Sequence, residues 1–140
     1  MIATHLLKQG IQLVAGPTTG GIILAFEMAR QLRVRGICVE KTGATGRDFR
    51  RGFTINPDEH VLVVDDILTT GGSIREVMTA VTNQNDLVMG AGFLVDRSEQ
   101  KIDFGVPFFS CLRSITPTYE PQDYPLCAAQ VPLTKPSGSQ

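Results

Sequence analysis

The apolar positions of this chain change period several times along its length. Residues 11–16, IQLVAG, form a short apolar run closed by glycine, the pattern of a buried strand ending in a turn. Residues 21–33, GIILAFEMARQLR, place Ile22, Leu24, Ala25, Met28, Ala29 and Leu32 on one broad face, which predicts a helix opened by Gly20 and Gly21. GICVE (36–40) returns to a strand pattern, and VLVV (61–64) is wholly apolar and rich in β-branched residues, as central parallel strands are. SIREVMTAVTNQ (73–84) predicts a second helix, with Ile74, Val77, Met78 and Val81 on its apolar side. LVMGAGFLVD (87–96) and PFFSCLR (107–113) read as further strands, the glycines of the first marking a bend or a close backbone approach. FRRGFTI (49–55) also reads as a strand. KTGATGRD (41–48), with two glycines and no period, reads as a mobile loop.

Alternating strands and helices predict an α/β fold: a mostly parallel central sheet flanked by helices on both faces. The 140 residues suit a single domain over 1–140, with an irregular, proline-rich tail from about 116. The stretches 15–21, 65–73 and 96–99 each follow a predicted strand. They should therefore meet at the carboxyl edge of the sheet, where ligands of such folds gather.

Composition narrows the partners. A net charge of −1 supplies no global basic field, so no nucleic-acid partner is expected. No apolar run is long enough to span a bilayer and residues 1–14 lack a signal-peptide layout, so no membrane partner and a cytoplasmic location are expected. Cys38, Cys111 and Cys127 are odd in number and far apart, which argues against a disulfide framework and for a reducing compartment. Cys38 and Cys111 fall in apolar runs and read as buried small hydrophobes.

The candidate chemistry is concentrated in VLVVDDILTTGGS, residues 61–73. Glycines let backbone N–H groups converge, the following helix adds the positive end of its dipole, and Thr69, Thr70 and Ser73 add hydroxyl donors. This is a phosphate turn without the lysine of a Walker A loop. Asp65 and Asp66 would repel a bare phosphate, but they suit neutral hydroxyls or a divalent cation close by. A ribose 5-phosphate presents both a phosphate and a diol.

That stretch resembles the phosphoribosyl-diphosphate (PRPP) motif of type I phosphoribosyltransferases. VAGPTTGGIILAFEMARQL, RRGFTI, LVDRS, DFGVPFFSCLR and YPLCAAQVPLTKPSGS extend the resemblance over nearly all of residues 11–138, toward the bacterial orotate phosphoribosyltransferases. The resemblance implies transfer of ribose 5-phosphate from PRPP to N1 of orotate, with release of pyrophosphate and with Mg²⁺ as cofactor. It implies that Asp65 and Asp66 hold the ribose hydroxyls, and that Mg²⁺ binds through PRPP with these acids as candidate ligands. Ile67, Leu68, Thr69, Thr70, Gly71, Gly72 and Ser73 would line the 5′-phosphate turn, and Pro17, Thr18, Thr19 and Gly20 the pyrophosphate loop.

Thr69 and Arg97 would face orotate, a guanidinium being a natural fork for a carboxylate or imide edge. Lys41 matches the cation that opens the family's catalytic loop. With Arg47 it would meet the departing pyrophosphate when the 41–48 loop closes. Lys41, Asp65 and Asp66 are thus the expected catalytic residues. The resemblance also implies a homodimer in which the 41–48 loop reaches the neighbouring site. Family members carry an N-terminal helical hood over the base. Only residues 1–10 precede the first predicted strand here, so this chain is expected to lack the hood. Two other readings stay open: a phosphoribosyltransferase for another nucleobase, and a non-catalytic PRPP-binding regulator.

Overall fold

In the computed structural model of the chain, the described residues are 10–43, 46–84, 87–115, 119–120 and 122–132. They form a sheet of six strands: β1 (Leu13–Pro17), β2 (Arg35–Lys41), β3 (Arg47–Phe49), β4 (His60–Leu68), β5 (Leu87–Asp96) and β6 (Phe108–Arg113). Spatial order is β3-β2-β1-β4-β5-β6, and every pairing is parallel except that of β3 with β2. Helix α1 (Gly21–Leu32) follows β1, α2 (Gly72–Thr82) follows β4, and a single turn, α3 (Pro125–Ala128), lies in the stretch read as an irregular tail. Among the described residues no helix is long and apolar enough to cross a membrane.

The alternation of side chains along β1 and β4 divides the core. Leu13, Ala15, Val61 and Val63 face α2, where they pack with Ile74, Val77, Ala80 and Val81. Val14, Leu62 and Val64 face the other way, onto Ala25, Met28 and Ala29 of α1. The expected α/β sheet with helices on both faces follows from this division. Each fully buried Val or Leu contributes about 1.5–3 kcal/mol. Val61, Leu62, Val63 and Val64 are all wholly buried, so β4 is a firm base for the residues at its carboxyl end.

Several expectations need correction. The strand expected over 49–55 is instead Arg47–Phe49. Arg51 and Gly52 both take positive φ, and the Phe53 amide donates to the Arg50 carbonyl at 3.1 Å, so the chain turns where a strand was expected. The 41–48 stretch is not a free loop at its ends. Lys41 closes β2, Arg47 and Asp48 pair back on it, and the Thr42 amide donates to the Gly46 carbonyl at 3.0 Å. Residues 44 and 45, and the tail beyond 132, lie outside the described residues.

On α1, Ile22 is exposed rather than on the buried face, because the buried stripe is carried by Gly21, Ala25, Met28 and Ala29. Cys38 and Cys111 are half-buried and Cys127 is exposed; all are free thiols. The bend expected at the β5 glycines is a register shift opposite Val61 and Leu62, just before Gly90.

Candidate functional site

Because β1, β4 and β5 run parallel, the three connections that follow them emerge at one edge of the sheet. Two of these connections open helices. The first turn of α2 has no side-chain cap and no acidic residue, and its N-cap, Gly71, sits at φ 80° and ψ 5°. The first turn of α1, behind Gly20, is likewise uncapped and free of acids. Two helix N-termini therefore offer unsatisfied N–H groups and positive dipole ends on the same side of the sheet.

The acidic pair stands between them. β4 continues through both aspartates to Leu68, since the ladder to β5 holds as far as Leu68 opposite Asp96. Strand alternation separates the two carboxyl groups. Asp66 is half-buried and lies against the head of α1, so close that a Cβ on Gly20 would sit 2.6 Å from its Oδ2. Asp65 is buried. Burial raises its carboxyl to about 6, with the nearby Asp66 charge adding to the shift and the Asp66 amide and the Arg47 charge opposing it. The Asp66 amide donates to Asp65 Oδ1 at 2.9 Å, and the Ile67 amide to Asp66 Oδ1 at 2.8 Å.

Beyond Leu68, residues Thr69, Thr70, Gly72 and Ser73 are exposed while Gly71 is buried against Phe104. A small pocket of about 50 Å³ is lined by Asp65 and the 67–74 turn. Next to it, Thr69 and Thr70 share a cleft of about 460 Å³ with Arg97, Ser98, Glu99, Gln100 and Ile102. The structure thus brings Thr69 and Arg97 to one cavity. Arg97 is held there by its neighbours: its amide donates to the Leu68 carbonyl at 2.7 Å, and Asp96 Oδ1 accepts from both the amide and the hydroxyl of Ser98, at 2.8 and 2.5 Å. Among the described residues the buried Nε of Arg97 has no acceptor, while the residue as a whole lines the cleft.

Pro17, Thr18, Thr19 and Gly20 form the connection from β1 to α1. The Thr18 amide donates to the Val39 carbonyl at 3.0 Å, and the Thr18–Thr19 peptide is cis. Lys41 is exposed at the end of β2, two residues beyond the partner of Pro17. Arg47, expected on a closing loop, points inward from β3 instead and is engaged with Thr18, Val39 and Glu76. Sequence reasoning missed Glu76, and it missed the Asp96–Ser98 turn that holds Arg97. Only the LVDRS stretch signalled the turn, through an acid two residues before a serine. Among the described residues no group of three or more His, Cys, Asp or Glu side chains converges as a metal cluster.

An open, mostly parallel sheet with a Thr/Gly turn, paired acids and two uncapped helix heads at one edge defines an α/β domain with a candidate anion site. The chain belongs to the phosphoribosyltransferase family: the phosphoribosyl transferase domain matches residues 2–125. It is 52% identical to an orotate phosphoribosyltransferase of Carboxydothermus hydrogenoformans over 89% of this chain, and it spans 64% of that protein. It is 46% identical to one of Pelotomaculum thermopropionicum over 96% of this chain and 70% of the relative. The crystal structure of orotate phosphoribosyltransferase from Aeropyrum pernix superposes with a TM-score of 0.59 at 27% identity, covering 77% of this chain and 62% of that one.

Proposed function

We propose that this chain transfers ribose 5-phosphate from PRPP to orotate, forming orotidine 5′-phosphate and releasing pyrophosphate. The observation that carries the reading is the cleft shared by Thr69, Thr70 and Arg97, which sets a guanidinium donor beside the phosphate turn. An anionic base with a carboxylate answers that donor, whereas a purine without an acid offers it less. The relatives named orotate phosphoribosyltransferase support the same base.

In this reading the 5′-phosphate docks on the N–H groups of Gly71 to Ser73 and on the hydroxyls of Thr69, Thr70 and Ser73. Asp65 and Asp66 accept from the ribose hydroxyls. Asp66, the more accessible of the two, makes the stronger contact with a charged species, because Asp65 is disfavoured as an anion by burial. The C1′–oxygen bond to pyrophosphate breaks as the C1′–N1 bond to orotate forms. Positive charge grows on the ribose and negative charge on the leaving oxygen. The 17–20 loop, the head of α1 and Lys41 stabilise that leaving group. Asp65 and Asp66 are the residues of this chain that would hold Mg²⁺ arriving with PRPP, which would neutralise phosphate charge there; one or two carboxylates with substrate oxygens are the usual Mg²⁺ environment.

A homodimer in the cytoplasm completes the proposal. Ile22, Ile23 and Phe26 of α1 are exposed beside an apolar groove of about 480 Å³ that also takes in Phe53 and Cys38. Such a patch suits a second copy.

Loss of orotate absorbance on adding PRPP and Mg²⁺ tests the reaction. Arg97→Ala should raise the KM for orotate by about tenfold or more, the worth of a charged hydrogen bond, and leave that for PRPP within about twofold. Equal effects on both would remove Arg97 from the base site. Consumption of PRPP with a different base would move the substrate, and PRPP binding without pyrophosphate release from any base would favour a regulator.

A further inference from the structure

Arg47 is an unusual residue to find inside a protein. Its side chain is only 6% exposed, although it springs from an edge strand of three residues. A buried guanidinium must be surrounded by acceptors, so its partners show what it is there to hold. Nη1 donates to the carbonyl of Thr18 at 3.1 Å and to the carbonyl of Val39 at 3.2 Å. Nε lies 3.2 Å from Glu76 Oε2 on α2, outside good hydrogen-bond geometry, so this contact is an ion pair rather than a directed bond. The three partners belong to three elements: the loop after β1, the end of β2 and the phosphate-side helix.

Thr18 is the informative partner. Its carbonyl belongs to the same rigid peptide unit as the Thr19 N–H, so fixing one fixes the other. Its own amide is tied to the Val39 carbonyl, which also accepts from Arg47. The 17–20 loop is therefore fastened on its inner side, and the fastening runs through Arg47 to α2.

We propose that Arg47 is a positioning residue that latches the 17–20 loop to the Glu76 side of α2 and so preorganises the loop for pyrophosphate. The inference rests on the function proposed above only for the identity of the ligand. The latch itself is a statement about the free protein.

Two measurements on the full chain separate these levels. Hydrogen exchange of the ligand-free protein reads the latch. Arg47→Met should speed exchange in residues 18–22 about tenfold or more, with residues 61–64 unchanged. Calorimetric titration with Mg²⁺ and pyrophosphate reads the consequence. Arg47→Met should weaken binding about tenfold, and in turnover raise the KM for PRPP without an equal rise for orotate. Arg47→Lys keeps one charge and can still reach a carbonyl, so it should recover to within about threefold of the parent. Glu76→Gln should loosen the loop less than Arg47→Met.

Unchanged exchange at 18–22 in a folded Arg47→Met protein overturns the latch, whatever the enzyme does. Should Arg47→Met fail to fold, Glu76→Gln decides: faster exchange at 18–22 supports the latch and unchanged exchange overturns it. Faster exchange in a protein whose parent binds no pyrophosphate would keep the latch and remove the functional reading.

Discussion

The heads of α1 and α2 both present uncapped N–H groups at the same sheet edge, but glycine is required there for different reasons. Before α1 the requirement is set by neighbours. A Cβ on Gly16 would lie 2.5 Å from the Gly21 carbonyl oxygen, one on Gly20 would strike the Asp66 carboxylate, and one on Gly21 would lie 2.5 Å from Pro17. Before α2 it is set mainly by backbone angle, since Gly71 takes φ 80° while Gly72 has only Thr70 Oγ1 nearby, at 3.7 Å. The first turn is a packed joint between strand, helix and acid. The second is an open bowl whose shape comes from one left-handed residue. On the proposed function, a site for two anionic groups is thus built from one turn held by its surroundings and another held by its own dihedrals.

The largest effect should come from the packed joint. Gly16→Ala places a methyl against backbone that cannot swing aside, so it should cost about 3 kcal/mol, at the upper end of ordinary overpacking, in urea denaturation. Gly71→Ala should cost about 1–2 kcal/mol for its left-handed backbone, with some further cost from the Phe104 ring, 2.9 Å from the new methyl and packed on Phe93 and Phe108. If the two variants lost equal stability, the distinction between joint and bowl would fail.

Asp65, between the turns, gives a smaller and pH-dependent effect. Its folded carboxyl titrates near 6 against an ordinary 3.8, so between these values the folded protein holds more proton than the unfolded chain. Stability from this group therefore falls as pH rises from about 4 to about 6, and the penalty is complete above that. Asp65→Asn keeps an acceptor for the Asp66 amide and removes the penalty. It should stabilise the protein at pH 7.5 by on the order of 1 kcal/mol, a gain that disappears by pH 4 in paired denaturation curves. A gain independent of pH would point to packing instead of charge.

The smallest effect belongs to Gly72→Ala. With open space around it and a helical role, it should raise stability by about 0.5–1 kcal/mol in thermal melts. The same methyl, on the rim of the phosphate turn, should weaken PRPP binding several-fold by calorimetry. A rise in both would place the phosphate elsewhere.

Much of this site was legible because its chemistry is local. In VLVVDDILTTGGS the apolar run, the acids and the Thr/Gly turn are contiguous, so one strand-to-helix unit carries them all. The end of β4 was less legible: polarity at Asp65 closes the apolar run, yet the ladder continues, with Ile67 opposite Val95. The placement of β3 failed because FRRGFTI has strand-like composition, while the positive φ of Arg51 and Gly52 depends on how the hairpin meets the sheet. Arg47 could be read as a cation but not as a buried one. Its acceptor at Thr18 is 29 positions away, and only folding brings them together.

Asp96 carries one more consequence. Its side chain shapes the turn that presents Arg97, and its carbonyl accepts from the amide of Ser114 at 2.8 Å, just past the last strand. The arginine assigned to the base is therefore moored to the far rim of the sheet. On the function proposed above, substitutions after β6 that never border the cavity would shift the choice of base while leaving the sugar-phosphate grip untouched.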